Sequence, residues 1–346
     1  MRRFGLLILL FAVILGLVSP PANRLLDTIR LIAVLGGASA PSVARPMDYP
    51  GGRADLYGEA GPVLVLLPGA AAAGKDDPRL VRFAGALVGA GWRVMVPDLA
   101  GAKALTLSSA DADEVAQAVR HAPGEKVALA AISYAAVPAV LAALEADVAA
   151  KVAVMVAVGP PYDARRVIGF FTTGTWRGQR LEPNVYGKWV FVLSNSGRLT
   201  DSGDRALLEA IARRRMGDPR AAIDDLARRL GPQGAAVMAL LDNADPDRVA
   251  ALIDALPPGI RDEIGRLDLS ARDLSGFVPD VLVIHGADDR IVPVGEGEAL
   301  TAALPHGRLY RLDSLAHADL TVSGLADGWT LGRAVYRLLE WRDRMR

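Results

Sequence analysis

Short apolar segments alternate with amphipathic segments along much of the chain, and this alternation constrains the fold more than any other feature. The apolar segments are residues 63–67, 93–96, 126–131 and 151–158. Runs this short and this apolar are typical of strands that are buried on both faces of a parallel sheet. The segments with helical spacing are residues 80–90, 111–121 and 135–145. Strict alternation of the two kinds predicts an α/β fold with right-handed crossovers.

The alternation stops after residue 160 and resumes with a predicted strand at residues 281–284. The interval is too long for a single crossover between two strands, and it contains helical stretches of its own. We therefore expect one core, built from residues 63–160 and 276–346. Residues 161–275 are expected to form a helical cap that is inserted into this core.

Residues 1–40 have the pattern of a signal or membrane-anchor segment. A pair of arginines precedes an apolar run from Phe4 to Val18, as in the n-region and h-region of an export signal. The length of the run leaves open whether it spans a bilayer. Pro20 and Pro21 occupy the place of a cleavage site, which favours an uncleaved anchor. The positive-inside rule then predicts a bacterial inner-membrane protein whose catalytic domain lies outside the cytoplasm; the alternative is a secreted or periplasmic protein.

Two segments connect this run to the predicted core. Residues 25–35 are apolar with Asp27 and Arg30 interspersed, a pattern compatible with a helix at the membrane interface and equally with a helix packed on the core. Residues 41–62 are rich in Pro and Gly. We expect a linker there, with at most one short strand near residues 53–57.

Composition excludes several classes of function. Basic and acidic residues both number 39, so no net charge attracts nucleic acid, and no nucleic-acid partner is expected. The chain has no cysteine, which removes disulfides, thiolate metal sites and a cysteine nucleophile. We expect no metal and no cofactor. A serine nucleophile needs a basic partner, and the four histidines that could serve are His121, His285, His306 and His317.

The candidate nucleophile is Ser133, which lies between a predicted strand and a predicted helix. This is the position of a nucleophile elbow, whose usual sequence is G-x-S-x-G because strand and helix approach closely there. Residues 131–135 read A-I-S-Y-A, and alanine is the least disruptive replacement for glycine. The alternative is that Ser133 only caps the helix, since serine is a preferred N-cap residue.

The candidate acid and base follow the later strands. Asp289 comes shortly after the strand at 281–284, and His317 follows a predicted strand at 308–312. A serine hydroxyl needs a base to take its proton, and that base needs an acid to fix its tautomer. The order Ser, Asp, His at the carboxyl ends of successive parallel strands is the one that this chemistry uses in α/β folds.

From about Val63 to the C-terminus, the chain resembles the α/β-hydrolase superfamily. Residues 67–70 read L-P-G-A and are similar to the H-G-x loop of the family, with proline where histidine is common. Residues 97–101 are similar to its P-D-x-x-G segment. Residues 285–293 read H-G-A-D-D-R-I-V-P and match H-G-x-x-D-x-x-V-P. The resemblance implies a doubly wound, mostly parallel sheet of the α/β-hydrolase type with an inserted helical cap.

The resemblance also implies roles for individual residues. Ser133 is the nucleophile, Asp289 the acid and His317 the base. The backbone N–H groups of Tyr134 and of Ala70 or Ala71 donate to the oxyanion. Asp288 competes with Asp289 as the acid, but the spacing to the following V-P favours Asp289.

The other three histidines and a group of aromatic residues have less specific interpretations. His285 reads as a structural turn residue, while His306 and His121 lie in connections away from the expected site. The aromatic residues of the cap could line an acyl pocket or form the core of the cap itself. They are Phe170, Phe171, Trp176, Tyr186 and Trp189.

The expected function is that of a serine hydrolase. It would cleave a carboxylic ester, thioester or related acyl bond through an acyl-enzyme on Ser133, which makes it esterase- or lipase-like. The expected partners are a small acyl substrate, lipid-like if the anchor holds the enzyme at a bilayer, and the membrane itself through the N-terminal segment. The alternative is a degenerate hydrolase that acts as a membrane-associated binding or scaffolding protein.

Overall fold

The computed structural model describes residues 20–35, 43–315 and 325–346. Eight strands of this part form one sheet, and two short strands form a separate hairpin. The strands are β1 (Ala44–Tyr49), β2 (Gly52–Tyr57), β3 (Val63–Leu67), β4 (Arg93–Pro97), β5 (Val127–Ile132), β6 (Val152–Val158), β7 (Thr175–Trp176), β8 (Gln179–Arg180), β9 (Asp280–Gly286) and β10 (Gly307–Leu312).

Fifteen α-helices lie in the described ranges. They are α1 (Pro20–Leu35), α2 (Pro78–Gly89), α3 (Ala100–Ala104), α4 (Asp111–His121), α5 (Ala136–Ala142), α6 (Ala146–Lys151), α7 (Ala164–Thr173), α8 (Tyr186–Ser196), α9 (Ser202–Gly217), α10 (Asp224–Ala227), α11 (Pro232–Leu241), α12 (Val249–Asp254), α13 (Pro258–Leu267), α14 (Val294–Ala303) and α15 (Leu325–Arg344).

The sheet has the strand order β1-β2-β4-β3-β5-β6-β9-β10. Strands β4, β3, β5, β6, β9 and β10 pair in parallel, whereas β2 pairs antiparallel with both β1 and β4. The prediction of a mostly parallel α/β sheet is therefore confirmed. Ile132 of β5 lies beside Val158 of β6, which lies beside Ile284 of β9. The carboxyl ends of these strands thus reach the same edge of the sheet.

Both faces of the sheet are covered by helices, as the doubly wound class requires. In β3, Val65 and Leu67 face one apolar cluster with α4, α5 and α14, while Leu64 and Leu66 face the other with α2 and α15. Successive strand residues point to opposite faces, so a strand buried on both sides must be apolar throughout. All five residues of β3 are buried.

Helices α7 to α13 lie between β6 and β9 in the sequence and have an apolar cluster of their own. Ile211, Leu240 and Leu199 are almost completely buried in it. The short β7–β8 hairpin follows α7 directly. The interval in which the βα alternation stops therefore consists mostly of helices.

Residues 44–57 differ from the expected linker, because they form β1 and β2. Tyr49 pairs with Gly52, so Pro50 and Gly51 form a two-residue turn, and Gly51 has a φ of +89°. Proline followed by a glycine with positive φ is the combination that a type II turn requires. The same residues that suggested a linker instead join two strands at the edge of the sheet, where polar side chains are tolerated.

Helix α1 packs on the core beside α15 and α2. Leu31 is 1% exposed, and Arg24 forms an ion pair with Asp343 at 2.9 Å. Pro20 and Pro21 stand in its first turn, where proline is tolerated. No helix in the described ranges is both long and apolar enough to cross a membrane. The apolar run Phe4–Val18 lies outside those ranges.

Candidate active site

Ser133 follows the last residue of β5 and has a φ of +54°. Residues other than glycine rarely adopt this left-handed conformation, which costs about 1–2 kcal/mol. In the described part of the chain, the other such residues are Leu105 and Arg177. A single turn of 3-10 helix from Ser133 to Ala135 leads into α5. The turn therefore holds the serine side chain at the carboxyl edge of the sheet in a strained geometry, which is typical of a functional position.

The residues around the turn are small because the backbone segments come very close. A Cβ atom added to Gly69 would lie 3.2 Å from the carbonyl oxygen of Ile132 and 3.5 Å from Cβ of Ser133. Ala131 and Ala135 are almost completely buried. Ala135 has ordinary helical angles, with φ −59° and ψ −16°, so this position does not need glycine. The departure from G-x-S-x-G is therefore compatible with the turn.

The two predicted oxyanion donors, Ala70 and Tyr134, line the same cavity as Ser133. The N–H of Tyr134 lies in the first turn of a helical segment, where N–H groups have no acceptor within the helix. The hydroxyl of Tyr186 donates to the carbonyl oxygen of Ala70 at 3.0 Å and so orients the peptide group that joins Ala70 to Ala71, which carries the N–H of Ala71, the alternative donor. No sequence pattern signals this contact, because it joins residues from the core and from the inserted helices.

The side chain of Tyr134 is anchored beside α4. Its hydroxyl lies 2.9 Å from the Ser108 carbonyl oxygen and 3.0 Å from Oδ2 of Asp111. Burial raises the pKa of the Asp111 carboxyl. Burial, together with the neighbouring Asp111, also raises the pKa of Tyr134. The bond to the buried Asp111 therefore positions Tyr134, whose N–H is the candidate oxyanion donor, and no sequence pattern pointed to this contact.

Asp289 is 3% exposed and lies in the loop after β9. Its Oδ1 accepts hydrogen bonds from the backbone N–H groups of Ile291 at 2.8 Å and Val292 at 2.9 Å. These two bonds fix the carboxylate in one orientation. Strands β5 and β9 are separated only by β6, so their ends are about 10 Å apart. A histidine between them can contact both a serine and a carboxylate.

Asp288 has a different environment from Asp289. Its Oδ1 accepts a hydrogen bond from the backbone N–H of Leu315 at 2.9 Å. Asp288 thus holds the segment that precedes His317 beside the loop that carries Asp289. His317 itself lies outside the described residues.

The other three histidines do not line the cavity at Ser133. His285 is fully buried, its Nε2 donates to the Val292 carbonyl oxygen at 2.9 Å, and the same atom lies 3.5 Å from Oδ2 of Asp289. His306 precedes β10 and therefore lies at the opposite edge of the sheet. His121 stacks on Tyr49 at the end of α4. His285 supports the loop of the candidate acid.

A cavity of about 610 Å³ extends from Ser133 between the core and the inserted helices. Its lining is mostly apolar and includes Leu80, Phe83, Leu107, Val167 and Phe191. Of the five aromatic residues considered from the sequence, Phe171 and Tyr186 line the cavity. Phe170 and Trp189 are buried outside this lining, and two guanidinium groups, of Arg166 and Arg177, lie 5.9 and 5.7 Å from the ring centroid of Trp176.

A family model of the α/β hydrolase fold matches residues 62–322. The chain belongs to the α/β hydrolase fold family. This α/β hydrolase is similar in structure to the rice cell wall degrading esterase of Xanthomonas oryzae, with a TM-score of 0.53 and 14% identity over 91% of this chain and 95% of that one. It is also similar to a candidate hydrolase from Legionella pneumophila, with a TM-score of 0.52 and 14% identity over 92% and 95%. No curated protein sequence matches the chain significantly.

The inserted helices of the hydrolase are tied to residues 105–109 of the core, beside the cavity. Oγ of Ser194 in α8 accepts from the N–H of Leu107 and donates to the carbonyl oxygen of Leu105, each at 3.1 Å. Glu263 of α13, which is 4% exposed, accepts from the N–H of Ser109. These bonds fix the helices over Ser133. The cavity wall is therefore built by contacts between distant parts of the sequence.

Proposed function

We propose that this hydrolase cleaves a carboxylic ester, thioester or related acyl bond through an acyl-enzyme on Ser133. The observation that carries the proposal is the left-handed backbone of Ser133 at the end of β5, facing an apolar cavity. An N-cap serine has no need of this strained conformation, because N-cap residues usually have extended angles. A nucleophile needs it, because the sharp turn exposes the hydroxyl to a substrate.

In the proposed mechanism, His317 takes the proton of the Ser133 hydroxyl as that oxygen attacks the acyl carbon. The oxygen of the scissile carbonyl becomes negative, and the backbone N–H groups of Ala70 and Tyr134 donate hydrogen bonds to it. Asp289 orients the imidazole and stabilises the imidazolium that forms. The bonds from the Ile291 and Val292 N–H groups keep this carboxylate in place.

Collapse of the tetrahedral intermediate expels the leaving group, which receives its proton from the imidazolium of His317. The acyl group then remains on Ser133. A water molecule gives up a proton to the neutral His317 and attacks the acyl-enzyme. The second collapse releases the acid and returns the proton to the Ser133 oxygen, so the enzyme regains its starting state.

The proposed substrate carries an apolar acyl group or an apolar alcohol group. The cavity has room for a ligand of moderate size, and its lining offers aliphatic and aromatic side chains over most of its surface. Burial of apolar groups contributes about 25 cal/mol per Å² of surface removed from water. We therefore expect that extending an apolar acyl chain lowers KM until the cavity is filled.

We also propose that the N-terminal segment anchors the enzyme at the bacterial inner membrane, with the catalytic domain outside the cytoplasm. The support is the basic pair and the apolar run Phe4–Val18. Such an anchor would keep the cavity close to lipid-like acyl substrates. Mass spectrometry of the mature N-terminus tests this proposal, since a chain beginning between residues 20 and 41 would be the secreted or periplasmic alternative.

A panel of p-nitrophenyl esters of graded acyl length tests the proposed reaction. The full chain should be used, because α1 packs on the core and a chain starting at Pro41 would lack it. We expect turnover that depends on acyl length and that disappears in Ser133→Ala. Turnover that survives in Ser133→Ala contradicts the assignment of the nucleophile. Absence of turnover with every ester contradicts the proposed reaction and favours a binding protein.

A further inference from the structure

Helix α1 exposes apolar residues on the side that faces away from the core. Leu25, Leu26 and Ile29 are 53%, 42% and 56% exposed. Their spacing puts them on one face, since residues three and four positions apart are neighbours on a helix. The opposite face is packed, with Thr28 and Leu31 buried. A helix that is apolar on both faces is expected where both faces have an apolar partner.

Helix α15, which packs against α1, also exposes apolar residues. Arg24 pairs with Asp343 at one end of the two helices, and Gly332 lies against Ile32 near the other end, so the helices are antiparallel. Trp329 lies about one turn before Gly332 and is therefore beside the C-terminal end of α1. Trp329 is 71% exposed, and Leu325, one turn earlier, is 96% exposed.

We name the large, exposed apolar side chains on these two helices the outer face. They are Leu25, Leu26, Ile29, Leu325 and Trp329. The other large apolar side chains that are exposed in the described ranges are scattered singly in the sequence. Scattered apolar residues are normal on protein surfaces, whereas a cluster on adjacent helices indicates an interaction surface.

Two exposed arginines border the outer face. Arg30 follows Ile29, its side chain is 70% exposed, and its guanidinium group lies 3.6 Å from the Asp27 carboxylate. Arg333 is exposed one turn after Trp329. The nearby carboxylates are already engaged. Asp27 accepts from Arg342, and Asp327 accepts from the backbone N–H groups after β10. This distribution attracts an anionic partner.

We propose that the outer face lies on an anionic phospholipid bilayer. The position of the face in the chain selects this partner, because the apolar run Phe4–Val18 ends just before α1 begins at Pro20. Tryptophan is favoured at membrane interfaces, and arginines next to a bilayer bind anionic headgroups. The inference does not depend on the proposed reaction, but it rests on the proposed N-terminal anchor. Helix α1 also lies against α2, whose first turn lines the cavity.

Because the chain has no cysteine, a single introduced cysteine can be labelled selectively. Ile29→Cys and Trp329→Cys would each carry a nitroxide spin label in the full chain. Leu144→Cys and Val278→Cys are matched controls, since these apolar residues are 41% and 64% exposed outside the outer face. The labelled chains are reconstituted in vesicles of phosphatidylcholine and phosphatidylglycerol. Collision rates of each label with oxygen, which concentrates in lipid, and with a water-soluble nickel chelate are then measured.

We expect the oxygen-to-nickel collision ratio to be several-fold higher at positions 29 and 329 than at the two controls. Equal ratios at all four positions would overturn the proposal, because the outer face would then lie in water. Low collision rates with both reagents at 29 and 329 would also overturn it, because protein would cover the face, whether the N-terminal run or a second copy of the chain.

A second measurement needs no cysteine and so guards against a variant that fails to fold. The fluorescence of Trp329 is obtained as the difference between the wild-type chain and Trp329→Phe. We expect phospholipids brominated in their acyl chains to quench this difference signal. If the difference signal is equally strong in brominated and unbrominated vesicles, the proposal is contradicted, even if the labelled variants cannot be prepared.

Discussion

Replacing Ser133 by glycine should stabilise the fold relative to replacing it by alanine. The φ of +54° costs a residue with a Cβ atom about 1–2 kcal/mol, and glycine avoids this cost. Glycine also gives the unfolded chain more conformational freedom, which offsets about 0.5–1 kcal/mol of this gain in stability. Both variants lose the hydroxyl, so their difference isolates the backbone. We expect Ser133→Gly to be more stable than Ser133→Ala by about 0.5–1 kcal/mol.

Equilibrium urea unfolding of the two variants measures this difference, and thermal unfolding should show a shift of about 1–2 °C for a chain of this length. Ala206→Gly is the matched control, because Ala206 is exposed within α9 and has no positive φ. That substitution should destabilise by about 1 kcal/mol. If Ser133→Gly is no more stable than Ser133→Ala, the turn at Ser133 is not strained and this argument for the nucleophile is lost.

Three further predictions concern the groups around Ser133. Asp289→Asn should lower kcat for an ester by about a thousandfold or more. Asp288→Asn should change kcat less than about tenfold, because asparagine still accepts from the Leu315 N–H. The reverse ranking would make Asp288 the acid. Tyr186→Phe removes the bond to the Ala70 carbonyl and should lower kcat by about tenfold with little change in KM; an effect on KM alone would indicate a role in binding only. Burial raises the pKa of Asp111, so its contribution to stability is complete below the unfolded value of roughly 3.9 and is lost as pH rises through the folded-state pKa. Unfolding from about pH 4 to about pH 7 should therefore show Asp111→Asn gaining stability relative to wild type, and a constant difference would contradict this.

The parallel part of the sheet could be predicted from the sequence because its signal is local. Residues 63–67 are apolar throughout, since β3 contacts helices on both faces. Ser133 could be located for the same reason, because a strand, a serine and a helix follow one another directly. The motif after β9 placed Asp289 in a loop, and the structure adds the two N–H groups that hold its carboxylate.

The β1–β2 hairpin could not be predicted in the same way. Arg45, Asp48, Arg53 and Asp55 interrupt any apolar pattern in its two strands. These residues are tolerated because the hairpin lies at the edge of the sheet, and pairing between β2 and β4 joins segments that are distant in sequence. A Pro-Gly pair is compatible with a linker and with a tight turn, so it does not distinguish the two.

The walls of the cavity were also beyond prediction. Phe191 and Phe83 line it from different parts of the chain, and the Tyr186 hydroxyl reaches the Ala70 carbonyl from the inserted helices. Neither contact leaves a pattern within a short stretch of sequence. The anchoring of Tyr134 by Asp111 is of the same kind, since it depends on how α4 packs beside the turn at Ser133.

Labelling of the full chain with a fluorophosphonate, followed by mass spectrometry of the peptides, tests the central claim most directly. A serine that is activated by a histidine attacks the phosphorus centre, whereas an N-cap serine does not. We predict one adduct, on Ser133, that is absent from Ser133→Ala and forms far more slowly in His317→Ala. An adduct on a different serine, or labelling that persists in Ser133→Ala, would contradict the account.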